Sequence, residues 1–101
     1  MITFKKDNKY LYAFNEKDKY IERFPIKDTN GAVGWMEVYQ YDSNGKLIQI
    51  YPTLRIASYF IKVAPNKIST VAHTSKTVHG YHFKTYYRGN FNDYPEIAIG
   101  D

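Results

Sequence analysis

The chain has 101 residues, enough for one small domain with its own core. It contains no cysteine, which excludes disulfides and thiolate metal sites, and no stretch approaches the roughly 20 apolar residues of a membrane span. No signal-peptide core follows Met1, so the sequence predicts a cytoplasmic protein that is not inserted in a membrane.

The positive charge is concentrated in one block of the chain, although the formal net charge is only +4. Residues 1–42 hold seven basic and seven acidic residues. Residues 43–92 hold seven basic residues and no acidic one, and residues 93–101 add three acidic residues. Such a block projects a positive potential, which favours a polyanion such as nucleic acid as the partner.

The first predicted elements are two β-hairpins that repeat at a constant offset along the chain. Residues 11–15 and 19–26 are β-rich and flank a polar turn, and residues 38–42 and 46–53 repeat this arrangement around Asn44-Gly45. Asn-Gly is a strong hairpin signal because both residues can adopt positive φ. Residues 27–34 are typical of a linker between the hairpins.

After the second hairpin, the hydrophobic period changes from that of a strand to that of a helix. Thr53 is suited to the N-cap, and one face of the predicted helix carries the apolar residues Leu54, Ala57 and Ile61. Another face carries the polar residues Arg55, Ser58 and Lys62. Residues 62–64 form a short break.

A second short helix is predicted to begin at Pro65, because the missing N–H of proline is not needed in a first turn. Its apolar face consists of Ile68, Val71 and Ala72. Its opposite face carries the uncharged polar residues Asn66, Thr70 and His73, with Lys67 beside them. The two helices would therefore form a helix-turn-helix.

The final predicted strand covers residues 81–87, and a short acidic tail follows it. The predicted fold is a single α+β domain with two β-hairpins, a helix-turn-helix and a closing C-terminal strand. Residues 1–34 would form the N-terminal hairpin and linker, residues 35–88 the hairpin, helix-turn-helix and strand, and residues 89–101 the tail.

The polar outer face of the second helix is the main chemical signal. A helix with hydrogen-bonding side chains outward can lie in a major groove about 12 Å wide and reach base edges. The alternative is a plain helical hairpin with its polar face in water, and the charge asymmetry favours DNA. The predicted contacts are Arg55, Lys62, Asn66, Lys67, Thr70, His73, Lys76 and Lys84.

The sequence gives no support to a metal site or to catalysis. Three histidines (His73, His79 and His82) fit no zinc spacing and have no carboxylate near them in sequence. The acid-free block offers no carboxylate for acid–base chemistry, and the chain has no glycine-rich phosphate loop or nucleophile elbow. We expect no metal, no cofactor and no catalytic activity.

Residues 37–84 carry an ordered set of motifs. A strand, a polar turn with Gly45 and a second strand ending in Tyr51 are followed by Pro52-Thr53 at a helix start, then by Ile68-Ser69 on the next helix. A basic loop and the Gly80-aromatic-x-aromatic-Lys84 strand complete the set. In this order the motifs resemble the nuclease-associated modular DNA-binding domain of the first type, also called the intron-encoded nuclease repeat.

This resemblance implies a helix-turn-helix module of the kind appended to homing endonucleases of phages and mobile introns, where it grips target DNA. We therefore expect a DNA-binding protein of phage or mobile-element type in a bacterial host cell, with double-stranded DNA as its partner. Ala64 departs from the family pattern, which has Ser or Thr as the cap of the second helix. The loop before Gly80 also departs, since it has one lysine where relatives often have several basic residues.

Two alternatives stay open at this point. A stand-alone phage protein on the same scaffold could bind and inhibit a host protein such as a defence nuclease, in an anti-CRISPR-like or anti-restriction role. The basic block disfavours mimicry of nucleic acid, but the N-terminal half and the acidic tail leave another contact open. The exposed edge of the first hairpin also leaves a homodimer open, since helix-turn-helix proteins often dimerise.

Overall fold

The computed structural model of the protein describes residues 1–26, 35–89 and 94. This part of the chain forms two three-stranded antiparallel sheets and two short helices. The strands are β1 (Thr3–Lys6), β2 (Tyr10–Phe14), β3 (Tyr20–Pro25), β4 (Trp35–Tyr41), β5 (Leu47–Tyr51) and β6 (His82–Gly89), and the helices are α1 (Leu54–Ile61) and α2 (Pro65–Val71). Sheet A has the order β1-β2-β3, and sheet B has the order β5-β4-β6.

The predicted α+β fold with a closing C-terminal strand is confirmed, since β6 pairs with β4 along its length. The structure adds one strand that was not predicted, β1, which pairs with β2. Its four residues are too few to show a period, and only the pairing with β2 makes them a strand. The predicted linker, residues 27–34, and the tail apart from Gly89 and Tyr94 lie outside the described residues.

The two hairpins have the same turn geometry at equivalent positions of the repeat. In each turn the side-chain oxygen of the first residue, Asn15 or Asp42, accepts two backbone N–H groups. The fourth residue has a positive φ, 60° at Asp18 and 83° at Gly45. Of the pair Asn44-Gly45, Gly45 alone adopts positive φ, because a three-residue loop followed by a bulge needs only one such residue.

The likeness of the two sheets extends to the third strand of each. Phe4 of β1 lies opposite Ala13, and Phe83 of β6 lies opposite Gln40, the position equivalent to Ala13 in the second hairpin. β1 therefore occupies in sheet A the place that β6 occupies in sheet B. β1 precedes its hairpin in the chain and β6 follows its own, so a search for linear repeats does not reveal this relation.

Both sheets and both helices contribute to one hydrophobic core. Its buried residues are Phe4, Leu11, Ala13, Val38, Tyr51, Ile56, Ala57, Ile68, Val71 and Phe83. Phe60 of α1 joins the sheets, because its ring lies 5.9 Å from that of Phe4 and 6.2 Å from that of Tyr51. Burial raises the pKa of the Tyr51 hydroxyl to about 12, and this neutral hydroxyl donates to Gln40 Oε1 over 2.8 Å.

The buried face of α1 is broader than predicted. The structure buries Ile56 and Ala57 and half-buries Leu54 and Ile61. The predicted apolar face did not include Ile56, and the buried face is broader because α1 contacts sheet B and, through Phe60, also sheet A. Neither α1 nor α2, the helices within the described residues, is long and apolar enough to cross a membrane.

The predicted N-cap of α1 is confirmed. Thr53 is 2% exposed, and its Oγ1 accepts the backbone N–H of Ile56 over 3.1 Å. We expect Thr53→Ala to lower the free energy of unfolding by about 1–2 kcal/mol, because it leaves that N–H without its partner. Urea denaturation followed by circular dichroism measures the change. Thr53→Ser keeps the hydroxyl and is the control, so equal losses in both variants would contradict the capping role.

Candidate nucleic-acid interface

A three-residue turn, residues 62–64, joins α1 to α2. Lys62 ends α1 in the left-handed conformation, with φ of 65°, and its N–H donates to the carbonyl of Ser58 over 2.8 Å. The hydroxyl of Ser58 donates to the carbonyl of Val63. These bonds fix the turn, and Pro65 then occupies the first turn of α2, as predicted.

α2 buries one face and exposes the other. Ile68 and Val71 are buried, whereas Asn66, Lys67 and Thr70 are exposed. The hydroxyl of Thr70 donates to the backbone carbonyl of Asn66 over 2.6 Å, which leaves its oxygen able to accept. Within the described part of the chain, the amide of Asn66 and the ammonium of Lys67 have no hydrogen-bonding partner.

A cleft runs between the exposed face of α2 and the loop that leads to β6. Asn66, Lys67 and Thr70 line one side, and residues 77–79 line the other. The loop closes in a two-residue turn, because Val78 and Tyr81 exchange both backbone hydrogen bonds while His79 and Gly80 adopt positive φ of 54° and 81°. This geometry is that of a type I′ turn.

Sequence reasoning missed Thr77 and His79 as members of this site. Both are exposed and line the cleft opposite α2. In the sequence analysis His79 appears only as one of three histidines whose spacing fits no zinc site. The dipeptide His79-Gly80 was the available signal, since two residues with positive φ between extended segments indicate a tight hairpin turn.

All eight predicted contacts are exposed, but the structure does not bring them all together. Lys62 is the C-cap of α1 and belongs to the turn that leads into α2, whereas Arg55 lies in the first turn of α1, at the other end of that helix. Lys76 lies in the loop that follows α2. Lys62 and Lys76 therefore flank α2 in the chain and Arg55 lies on the preceding helix, whereas His73 and Lys84 lie elsewhere.

The prediction that His73 lies on the outer face of α2 is wrong, because the helix ends at Val71. The residue adopts a φ of 62°, and its N–H donates to the carbonyl of Phe83 over 2.9 Å. Its ring Nε2 lies 2.9 Å from the carbonyl oxygen and 3.1 Å from the nitrogen of Thr85. His73 therefore occupies the open edge of β6, where unpaired backbone groups would otherwise attract another strand.

Lys84 lies on the opposite side of sheet B from the helices. Its neighbour Phe83 is buried in the core, and successive side chains of a strand point to opposite faces. The Nζ of Lys84 accordingly lies 5.4 Å from the ring centre of Tyr41, on the outer face of the sheet. The predicted grouping of Lys84 with the helix contacts is therefore not found in the structure.

In the folded protein, one cation of residues 43–92, the segment without acidic residues, lies beside an acidic residue from outside that segment. Arg88 Nε lies 2.7 Å from Oε1 of Glu37, because β6 pairs with β4, and its Nη2 donates to the hydroxyl of Tyr39 over 2.9 Å. These two hydrogen bonds raise the pKa of Arg88. In residues 1–26, 35–89 and 94, the block's other six cations form no ion pair: Lys46, Arg55, Lys62, Lys67, Lys76 and Lys84.

The described residues include no cluster of three or more His, Asp or Glu side chains placed to hold a metal ion. His73, which was weighed as a ligand, has its Nε2 beside the backbone of Thr85 instead.

Replacement of Lys62 should separate the stability of the turn from its charge. Lys62→Gly is expected to be about 1 kcal/mol more stable than Lys62→Ala, because glycine adopts the left-handed conformation without a Cβ penalty. Both variants lose the same cation and should lose affinity for duplex DNA equally, by a few-fold. Thermal melting and fluorescence anisotropy measure the two effects. An alanine variant at least as stable as the glycine variant would contradict the account.

Part of the chain matches one protein-family model. No curated protein and no solved structure matches the chain significantly. One family model matches about a third of the chain, in a segment that contains β5, α1 and α2 with the turn between them and all of β4 but Trp35. β6 and sheet A lie outside the match. The resemblance seen in the sequence is confirmed: residues 36–71 match the NUMOD1 domain, a nuclease-associated modular DNA-binding domain.

Proposed function

We propose that the protein binds double-stranded DNA as a helix-turn-helix, with α2 in the major groove and the loop after α2 on the adjacent backbone. The observation that carries the proposal is the exposed pair Asn66–Lys67 on α2, whose side chains have no partner among the described residues, within a segment that matches a DNA-binding module. An α-helix with its side chains is about 10–12 Å in diameter, which fits a groove about 12 Å wide, and the seven residues of α2 extend about 10 Å along the helix axis.

The side chains of α2 supply the groups that read base edges. The amide of Asn66 can donate to N7 and accept from N6 of adenine, and Lys67 can donate to N7 and O6 of guanine. Thr70 presents a hydroxyl oxygen beside them, one turn further along the helix. Thr77 and His79 face these groups across the cleft and would contact the DNA strand that enters it.

Cations on both sides of α2 would bind phosphates. Arg55 and Lys62 precede the helix, Lys76 follows it, and Lys67 lies on it. Lys84 and Arg88 are excluded from this set, because both lie on the outer face of sheet B.

The salt dependence of binding tests this set of four cations. The slope of log affinity against log salt should be about −3 to −4, since each neutralised phosphate contributes about −0.9. Fluorescence anisotropy with a labelled duplex, at several salt concentrations, measures the slope. The absence of binding at low salt and micromolar protein would overturn the proposed function, and a slope of about −5 would show that the two outer-face cations take part.

We further propose that the protein belongs to a phage or mobile element and grips DNA without cutting it. NUMOD1 is a binding module rather than a catalytic domain, which supports this proposal. Supercoiled plasmid incubated with the protein and Mg²⁺ should stay uncut, and nicking would contradict it. Inhibition of a host protein and formation of a homodimer stay predictions, and a pull-down after nuclease treatment and light scattering would test them.

A further inference from the structure

The outer face of sheet B is an aromatic surface with two cations. It includes Glu37, Tyr39 and Tyr41 from β4 and Lys84, Tyr86 and Arg88 from β6, which alternate with residues of the opposite face, and the carboxylate of Glu37 is paired with Arg88. The three tyrosines are half-buried and the two cations are exposed. Because the opposite face carries Val38, Gln40 and Phe83 into the core beneath the helices, the outer face turns away from α2.

The groups of this outer face hold one another in position. The rings of Tyr39 and Tyr86 meet edge to face at 5.0 Å, and Arg88 lies 5.3 Å from the ring centre of Tyr86. Lys84 lies 5.4 Å from the ring centre of Tyr41. In the described part of the chain, the ring and hydrogen-bond contacts of these residues stay within the face, apart from one ring contact with His73.

We propose that the outer face of sheet B binds single-stranded nucleic acid, with bases stacked on Tyr41 and Tyr86 and phosphates bound by Lys84. This function is additional to duplex binding by α2 and does not depend on it. Aromatic rings stack on any unpaired base, and neighbouring cations bind the backbone that links the bases. A duplex is unsuited to this face because its bases are already stacked on one another, and a second copy is disfavoured because Lys84 and Arg88 would meet their own like charges.

Sheet A shows why the surface is specific to sheet B. Lys5 and Tyr12 lie opposite each other in sheet A, as Lys84 and Tyr39 do in sheet B. In sheet A, however, the hydroxyl of Tyr12 donates to the carboxylate of Asp7 over 2.7 Å. Within the described residues that carboxylate forms no ion pair, whereas the carboxylate beside Tyr39, that of Glu37, is paired with Arg88. The carboxylate of sheet A would therefore repel a phosphate more strongly, and Lys5 provides a matched control for Lys84.

Binding of a short labelled oligo(dT) strand to the full chain at low salt tests the proposal. Tyr41→Ala should weaken binding by about fivefold or more, while Tyr41→Phe should bind as the wild type does, because stacking needs the ring and not the hydroxyl. Lys84→Glu should weaken binding more than Lys5→Glu, although both change the net charge equally. Melting temperatures identify any variant that has lost its fold, and the charge variants leave all the rings in place.

The opposite positions of the two surfaces give a second test. Oligo(dT) and duplex should bind the same molecule at once, and Lys67→Glu should reduce duplex binding more than oligo(dT) binding. The proposal is overturned if oligo(dT) does not bind at micromolar protein, if folded Tyr41→Ala binds it as the wild type does, or if the two ligands displace each other. Failure of duplex binding alone would overturn the proposed function and leave this one standing.

Discussion

Lys67→Glu should lower the affinity for duplex DNA by about tenfold or more. Lys67 is exposed on α2, has no ion pair within the described residues, and faces the cleft lined by Thr77 and His79. Charge reversal removes a donor to bases or phosphates and places a carboxylate against the DNA backbone. Anisotropy titrations of wild type and variant at the same salt concentration measure the loss.

A matched variant distinguishes this effect from that of net charge. Lys17→Glu makes the same change of charge in the turn between β2 and β3, where Lys17 is exposed and, among the described residues, only its backbone N–H forms a hydrogen bond. We expect this variant to lose much less affinity. Lys67→Glu should also reduce the salt slope by about one. Equal losses from both variants would show that α2 is not the recognition element.

Phe83→Ala should produce the largest loss of stability, about 3–5 kcal/mol in the free energy of unfolding. The ring is 1% exposed and lies on the face of β6 that contacts α2. Truncation removes its apolar contacts and leaves a cavity beneath the helix. A domain of this size has about 5–15 kcal/mol in total, so the variant should be near its folding limit. Chemical denaturation measures the difference.

The same strand offers a control at an exposed position. Tyr87 is 66% exposed, so Tyr87→Ala should change the free energy of unfolding by no more than about 0.5 kcal/mol. If Phe83→Ala lowers the free energy of unfolding by less than about 1 kcal/mol, the packing of α2 on β6 does not stabilise the fold as described. Duplex affinity measured well below the unfolding transition would then show whether the position of α2 depends on β6.

The likeness of the two sheets indicates that the chain consists of two similar units. Both sheets place a hairpin beside a third antiparallel strand, and both hairpins share a turn and a bulge at equivalent positions. α1 and α2 follow β5, while residues 27–34 follow the end of β3 and Ile26. The helices of the candidate interface thus belong to the second unit, and Phe60 packs them against the first.

The sequence by itself determined the features that depend on near neighbours. Thr53 caps α1, Pro65 begins α2, and both hairpins fold around polar turns, as predicted. These features could be predicted because each is stabilised by hydrogen bonds or steric limits within about five residues. The exposure of Asn66, Lys67 and Thr70 followed from the helical period in the same way.

Only the tertiary structure decided how distant residues meet. β1 is a strand because it pairs with β2. His73 lies at the edge of β6 and not on α2, because its ring contacts the backbone of Thr85. Arg88 lies beside Glu37 because β6 pairs with β4. The same pairing placed Lys84 on the face opposite the helices. A turn fixes the register within a hairpin, but the pairing of β6 with β4 joins residues far apart in the chain, and no local signal specifies it.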